Sequence, residues 1–322
     1  MNNARLPWLC FLLLGYLSCA VAGDGPAPGQ GFIAVPGGPV WYKVTGNGDG
    51  IPLLTLHGGP GGTSCHFALL DALGERRPVV RYDQLGTGRS GRPDDASLWT
   101  VEHYVEELDV LRHALGLERM HLLGHSWGGS LAAAYVLARG TDGIESVIFS
   151  SPLLSTPLWV RDANLQRSQL PEDVQRTLAV HEKAGTTDSP EYQAASEVYY
   201  ERHMYAGKKP PDTAECQGAP WSQVIYEYMW GPQEFFATGT LIDFDVTPRL
   251  HEIDVPVLFL TGEFDEARPE TVAGFHKLIP GSQFRVIMDA GHATLSKKPE
   301  EYRAIIEEFL GQVEGRRQGK RQ

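Results

Sequence analysis

The residues Gly124-His125-Ser126-Trp127-Gly128 set a serine between two glycines at the end of the apolar run Leu122-Leu123, and residues 131–138 follow with a helix-like pattern. A serine in that setting is a candidate nucleophile. A sharp strand-to-helix turn strains the serine backbone, and glycine two residues to either side lets the chain close so tightly. The turn lifts the Ser126 hydroxyl clear of the sheet edge and aims the backbone N–H of Trp127 at the oxygen of an attacked carbonyl. Gly and Ser also crowd ordinary turns, so the motif gains its meaning from partners elsewhere in the chain.

The first partner is the loop His57-Gly58-Gly59-Pro60-Gly61-Gly62, which opens directly from the apolar run 52–56. Such a glycine content means a backbone that must approach something closely, and in a hydrolase of this plan the N–H of Gly59 supplies the second oxyanion donor. The Lys-Ser/Thr ending of a phosphate-binding P-loop is missing. His57 reads as a brace for the loop.

The second partner is an acid followed by a histidine, each after a late apolar run: Asp265 in Thr261-Gly262-Glu263-Phe264-Asp265-Glu266, and His292 in Asp289-Ala290-Gly291-His292. Ser, then Asp, then His is the chain order of α/β-hydrolases and differs from that of chymotrypsin or subtilisin. In that chemistry His292 takes the Ser126 proton and returns it to the leaving group, while Asp265 fixes its tautomer and stabilises the imidazolium. Asp289 is the rival acid, although three residues from His292 it reads better as a turn residue. Of the 11 histidines, His103, His113, His181, His203 and His276 fall in helical patterns, and His125 cannot reach round to its neighbour. No His-Glu-x-x-His or paired cysteine spacing points to a metal.

The elements that must position these groups alternate. Strand-like runs at 40–44, 52–56, 79–82, 120–123, 144–150, 255–260 and 284–288 are interleaved with helical spacing at 100–115, after Ser126 and at 299–310. This predicts a mostly parallel sheet covered by helices on both faces. From Ser151-Pro152 to about Leu250 the chain is Pro-punctuated, rich in Trp and Tyr, and helical in pattern, which predicts an inserted helical cap. The expected divisions are a leader over 1–22, the sheet domain over 23–151 and 251–322, and the cap over 152–250. Residues 23–31 read as a flexible lead-in and the basic stretch 316–321 as a frayed end.

Residues 1–22 carry one positive charge, Arg5, then the apolar run 6–17, then Ala20-Val21-Ala22. That is the pattern of a cleaved export signal, too short for a bilayer-spanning helix of roughly 20 apolar residues. A lipid-anchor reading at Cys19 fits less well beside Tyr16 and Leu17. Removing Arg5 from a net charge of −12 leaves −13, which argues against nucleic acid or an anionic membrane as partner and allows a cationic substrate. Cys10 and Cys19 leave with the leader; Cys65 and Cys216 remain, either bridged or as separate thiols.

With these residues assembled, the chain resembles the proline iminopeptidase family of serine peptidases in the α/β-hydrolase fold. The resemblance runs from about residue 40 to 310 and rests on His57-Gly58-Gly59-Pro60-Gly61-Gly62, on Asp83-Gln84-Leu85-Gly86-Thr87-Gly88-Arg89-Ser90, on the run from Gly124 to Leu131, on Gly262 to Glu266 and on Gly291-His292. It implies a serine aminopeptidase that releases an N-terminal residue, often proline, from short peptides with a free N-terminus, without metal or cofactor. It also implies that Glu234, in Trp230-Gly231-Pro232-Gln233-Glu234-Phe235, and Glu266 grip the substrate's ammonium. Cap aromatics such as Trp230, Phe235 or Phe236 are expected to wall the slot for that first residue. Two other readings stand beside it: a hydrolase for esters, lactones or amides lacking a free amine, and a binding protein that has lost turnover.

Overall fold

A computed structural model describes residues 25–321, with side chains to 316; the leader expected over 1–22 lies outside the described residues. Eight strands form one sheet: β1 (Gly29–Val35), β2 (Gly38–Thr45), β3 (Leu53–Leu56), β4 (Val79–Tyr82), β5 (Met120–His125), β6 (Ile144–Ser150), β7 (Val257–Gly262) and β8 (Gln283–Ile287). Their order across it is β1-β2-β4-β3-β5-β6-β7-β8. The pairs β1/β2 and β2/β4 are antiparallel and the rest parallel.

Nine helices accompany the sheet: α1 (Val101–Ala114), α2 (Trp127–Arg139), α3 (Thr156–Arg167), α4 (Glu172–Ala184), α5 (Pro190–His203), α6 (Gln223–Met229), α7 (Pro269–Leu278), α8 (Thr294–Lys297) and α9 (Pro299–Arg321), counted among the described residues. The central strands are apolar on both faces because helices lie on both. Consecutive residues of one strand enter different cores, as strand alternation requires: Leu122, Val147 and Phe259 pack with α1, α2 and α7, whereas Leu123, Ile148 and Leu258 pack with the 3-10 segment Ser64–Glu75 and α9.

Between β6 and β7 the chain is helical and contributes no strand to the sheet. Ser155 and Ser189 cap α3 and α5 by accepting from Leu158 and Tyr192 N–H groups, and Pro190 opens α5 where its missing N–H costs nothing. This region has a small core of its own, in which Leu178, Tyr192, Tyr199 and Phe235 are buried together.

Three features differ from, or go beyond, the sequence reading. Residues 29–35 form edge strand β1 rather than a lead-in, because β2 supplies a full antiparallel partner for a segment with one-sided burial. Helix α9 continues to Arg321 through the stretch expected to fray. Cys65 and Cys216 are joined by a disulfide that ties the Ser64–Glu75 segment to the cap across 151 residues.

Candidate active site

Ser126 stands between β5 and α2 with φ 56° and ψ −122°, a left-handed conformation that an L-residue holds only under constraint. The flanking glycines are steric necessities. A Cβ on Gly124 would lie 2.1 Å from the Gly128 carbonyl oxygen, and one on Gly128 would lie 2.0 Å from the Leu56 oxygen. The Gly-rich loop presses on the same turn, since a Cβ on Gly58 would meet the Ser126 Cβ at 3.0 Å. Gly59, at φ 117°, follows directly, and the Trp127 N–H opens α2, where first-turn donors lack helical partners.

Gln84 links these two positions, a role that sequence reasoning missed although its motif was noted. Its backbone N–H donates to His57 Nε2 at 3.0 Å, its side-chain amide donates to the His57 carbonyl at 3.1 Å, and its Oε1 accepts from Trp127 Nε1 at 2.9 Å. With Nε2 accepting, the His57 ring proton lies on Nδ1 and reaches the Gly58 carbonyl at 2.9 Å. His57 is a neutral brace, and burial lowers its pKa.

Asp265 and His292 meet at the carboxyl ends of β7 and β8. His292 Nδ1 donates to Asp265 Oδ1 at 2.8 Å. Asp265 is fully buried and also accepts from Ser151 Oγ at 2.6 Å, Thr261 Oγ at 3.0 Å, Gly262 N at 3.1 Å and Ala267 N at 2.9 Å. Burial alone would raise this carboxyl, but the facing His292 and these donors outweigh it and hold Asp265 below its ordinary pKa. Ser151, at φ 47° just past β6, was not foreseen as a partner; its place beside Pro152 at a strand end was the available signal. Asp289 is a turn residue: its backbone N–H bonds Glu263, and its side chain is 81% exposed beside Lys298.

The cap holds the histidine loop by main-chain bonds, from His292 N to His203 O and from Ala293 N to Met204 O, both 2.8 Å. The His292 ring packs between His125, with centroids 4.7 Å apart, and the edge of Trp159, at 5.5 Å. Burial would lower His292, yet Asp265, Glu266 and Glu234 together raise it to about 9. Burial, reinforced by His292, pushes His125 down to about 3, so His125 stays neutral.

Ser126 and His292 open onto one cavity of about 720 Å³, roofed by cap residues including Tyr200, Tyr205, Trp221 and Tyr226. Glu234 lies on its wall, half-buried, with its backbone oxygen accepting from Trp159 Nε1 at 2.9 Å. Glu266 is 1% exposed and off that wall; its Oε1 is 3.7 Å from His292 Nε2, and neither carboxylate oxygen has a hydrogen-bond partner among the described residues. Burial raises Glu266 well above the carboxylate range against the pull of His292, with Glu234 and Asp265 adding to the rise. The aromatics expected to wall the slot do not: Trp230 packs into the main core, Phe235 into the cap core, and Phe236 against the latter. Each is worth more in contact with other apolar groups than facing a wet cavity. A larger groove of about 1270 Å³ lies beside the starts of β5, β6 and β7, lined largely by charged side chains; ligands of parallel sheets bind at the opposite, carboxyl ends.

Comparison with known proteins agrees with this fold. A family model described as the alpha/beta hydrolase fold matches residues 51–299. The proline iminopeptidase of Heyndrickxia coagulans is 47% identical over 287 residues, covering 88% of this chain and 99% of that protein. Among solved structures, VinJ superposes with a TM-score of 0.82 at 34% identity, covering 89% of this chain and 100% of that one. The proline iminopeptidase of Mycobacterium smegmatis gives 0.79 at 35% identity, covering 88% and 98%.

Proposed function

The chain belongs to the proline iminopeptidase family of the α/β-hydrolase fold and is a serine aminopeptidase; from that premise we propose that it releases an N-terminal proline from short peptides through an acyl-enzyme on Ser126, outside the cytoplasm. The observation that carries the reading is the pair Glu234 and Glu266. Two carboxylates, one from the cap and one from the loop after β7, act on His292 beside Ser126, and neither is paired with a lysine or arginine among the described residues. Burial makes ionising them costly and raises the pKa of both, and a cation placed between them offsets that cost. A substrate ammonium supplies that cation and fixes the scissile carbonyl of the same residue.

With the ammonium so held, Ser126 Oγ attacks the carbonyl carbon and His292 accepts the hydroxyl proton, its tautomer fixed by Asp265. The N–H groups of Gly59 and Trp127 receive the oxyanion. Collapse breaks the peptide bond, and His292 protonates the departing amine. Water then enters, gives a proton to His292 and attacks the acyl carbon; collapse breaks the bond to Ser126, His292 returns the proton to its Oγ, and the first residue is released. The preference for proline is supported by the likeness to proline iminopeptidases and by the rigid aromatic walls of Phe67, Tyr200, Trp221 and Tyr226, on which a ring without rotamers binds at little entropic cost.

An exported location is supported by the pattern of residues 1–22 and by a disulfide of the kind that persists in oxidising compartments. Among the described residues no helix is long and apolar enough to cross a membrane. The decisive assay is a panel of aminoacyl-nitroanilides, free and N-acetylated, beside simple esters. Rapid turnover of the prolyl substrate and rejection of its acetylated form are expected; equal rates on both would hand the protein to the ester and amide hydrolases. Mass analysis of the secreted or periplasmic protein should give a chain beginning at Gly23, and an intact leader on a cytoplasmic product would remove the export reading.

A further inference from the structure

The two ring nitrogens of His292 face different acids. Nδ1 is held by Asp265 at 2.8 Å, while Nε2, the nitrogen that must receive the Ser126 proton, has Glu266 Oε1 at 3.7 Å. Glu266 is almost fully buried with both oxygens unsatisfied, and His292 is the one cation-forming side chain within ion-pair distance of it among the described residues. From the other elements packed round the ring come Glu234 of the cap, the neutral His125 and the edge of Trp159. Tyr200 and Tyr226, also of the cap, keep their phenol protons because burial raises both far above neutrality. Three carboxyl groups therefore converge on one imidazole, with no lysine or arginine in ion-pair distance of them among the described residues.

Resting on the amino-group reading above, we propose that the substrate's ammonium switches on the base: in the free enzyme the buried pair of His292 Nε2 and Glu266, 3.7 Å apart, holds a proton that keeps Nε2 occupied, and the arriving ammonium displaces it. A protonated Nε2 has no lone pair and cannot accept from Ser126, so the empty site is idle. An ammonium between Glu234 and Glu266 withdraws their pull from His292 and repels its charge, both of which lower the affinity of the ring for its proton. The proton passes to solvent, no other bond changes, and Nε2 becomes available. Because linkage is reciprocal, deprotonating His292 tightens the hold on the ammonium by the same factor. An N-acetylated substrate then fails twice, binding weakly and leaving the base protonated, so that kcat falls along with affinity.

The test is an NMR titration of the His292 imidazole in Ser126→Ala, assigned by its loss on His292→Gln, with L-prolinamide or N-acetyl-L-prolinamide as probe. In the free protein the midpoint should lie near 9; saturating prolinamide should lower it by at least about one pH unit, tenfold in proton affinity, while acetylprolinamide leaves it in place. Adding Glu266→Gln should lower the free midpoint and remove the response to prolinamide. A midpoint unmoved by prolinamide, when prolinamide still binds far better than its acetylated form, overturns the switch and leaves the amino-group reading intact; so does an unchanged midpoint in the Glu266→Gln protein. Equal binding of the two probes removes the amino-group reading itself and the switch with it.

Discussion

Five donors share the two carboxylate oxygens of Asp265, and that saturation determines what each substitution at the site should do. Asp265→Asn sets an amide nitrogen against hydrogen-bond donors, so the amide turns and His292 loses the acceptor that fixes its tautomer. We expect kcat/KM to fall about 10⁴-fold, with comparable or larger losses for Ser126→Ala and His292→Ala and no gain in loss on combining them, because the three act as a unit. Asp289→Asn, in contrast, alters an exposed turn and should stay near wild type; steady-state rates on prolyl-nitroanilide check all four, and an inactive Asp289→Asn beside a normal Asp265→Asn would reverse the assignment. Glu234→Gln removes one charge-assisted partner of the ammonium, an interaction of about 1.5–3 kcal/mol, so free-amine substrates should slow roughly 10- to 150-fold. N-acetylated substrates should be little affected, and the ratio of the two rates is the measurement.

At the scale of elements, the site is a set of strand ends held in register by loops that touch one another. The turn at Gly291 fits under the end of α5: a Cβ there would lie 2.5 Å from the His203 oxygen and 2.8 Å from that of Met204, the two carbonyls that anchor the histidine loop. Gly291→Ala should therefore push the loop off the cap, lowering kcat and also Tm, by about 2–4 °C for each kcal/mol lost; unchanged melting with unchanged kcat would mean that the clamp is dispensable. Gln84 plays the equivalent part on the oxyanion side, where it joins the His57 loop to the Trp127 indole. A small displacement of either donor weakens transition-state contacts without unfolding anything. Gln84→Ala should cost up to about 10²-fold in kcat, with KM nearly unchanged.

Over the whole molecule, two parts of different construction share a core. The sheet has a core on each face, the larger of which takes in cap residues such as Trp159, Tyr226 and Trp230, the cap has a small core of its own, and Cys65–Cys216 ties the two parts together. The bridge does not stand alone: next to Cys216, Glu215 pairs with Lys43 at 2.9 Å and Arg81 at 3.1 Å, and these partners lower its pKa to about 2. Closing a loop of this length restricts the unfolded chain, an effect of about 2–4 kcal/mol. Cys65→Ser or Cys216→Ser should lower thermal stability accordingly and weaken substrate binding, because the tethered segment carries the cavity residues Pro210, Asp212 and Trp221. Thermal melts with and without reductant measure the first effect and KM the second; a variant that matches wild type in both would leave the bridge without a structural role.

The sequence by itself determined what local rules can specify. The glycine spacing round Ser126 specifies a strained turn because no other residue fits there, the apolar runs specify buried parallel strands, and the order Ser126, Asp265, His292 puts three groups at strand ends. Only the tertiary structure decided what depends on partners remote in the chain. Edge strand β1 forms because β2 is available to pair with it, not because of its own pattern. Ser151 and Gln84 acquire their parts from acceptors and donors that folding brings beside them. Trp230 and Phe235 went into cores because apolar surface is stabilised by whatever apolar contact the fold supplies, and an aromatic side chain carries no local signal of which contact that is. The same holds for Glu266: its side chain is that of any surface glutamate until folding buries it, without a hydrogen-bond partner among the described residues, 3.7 Å from His292.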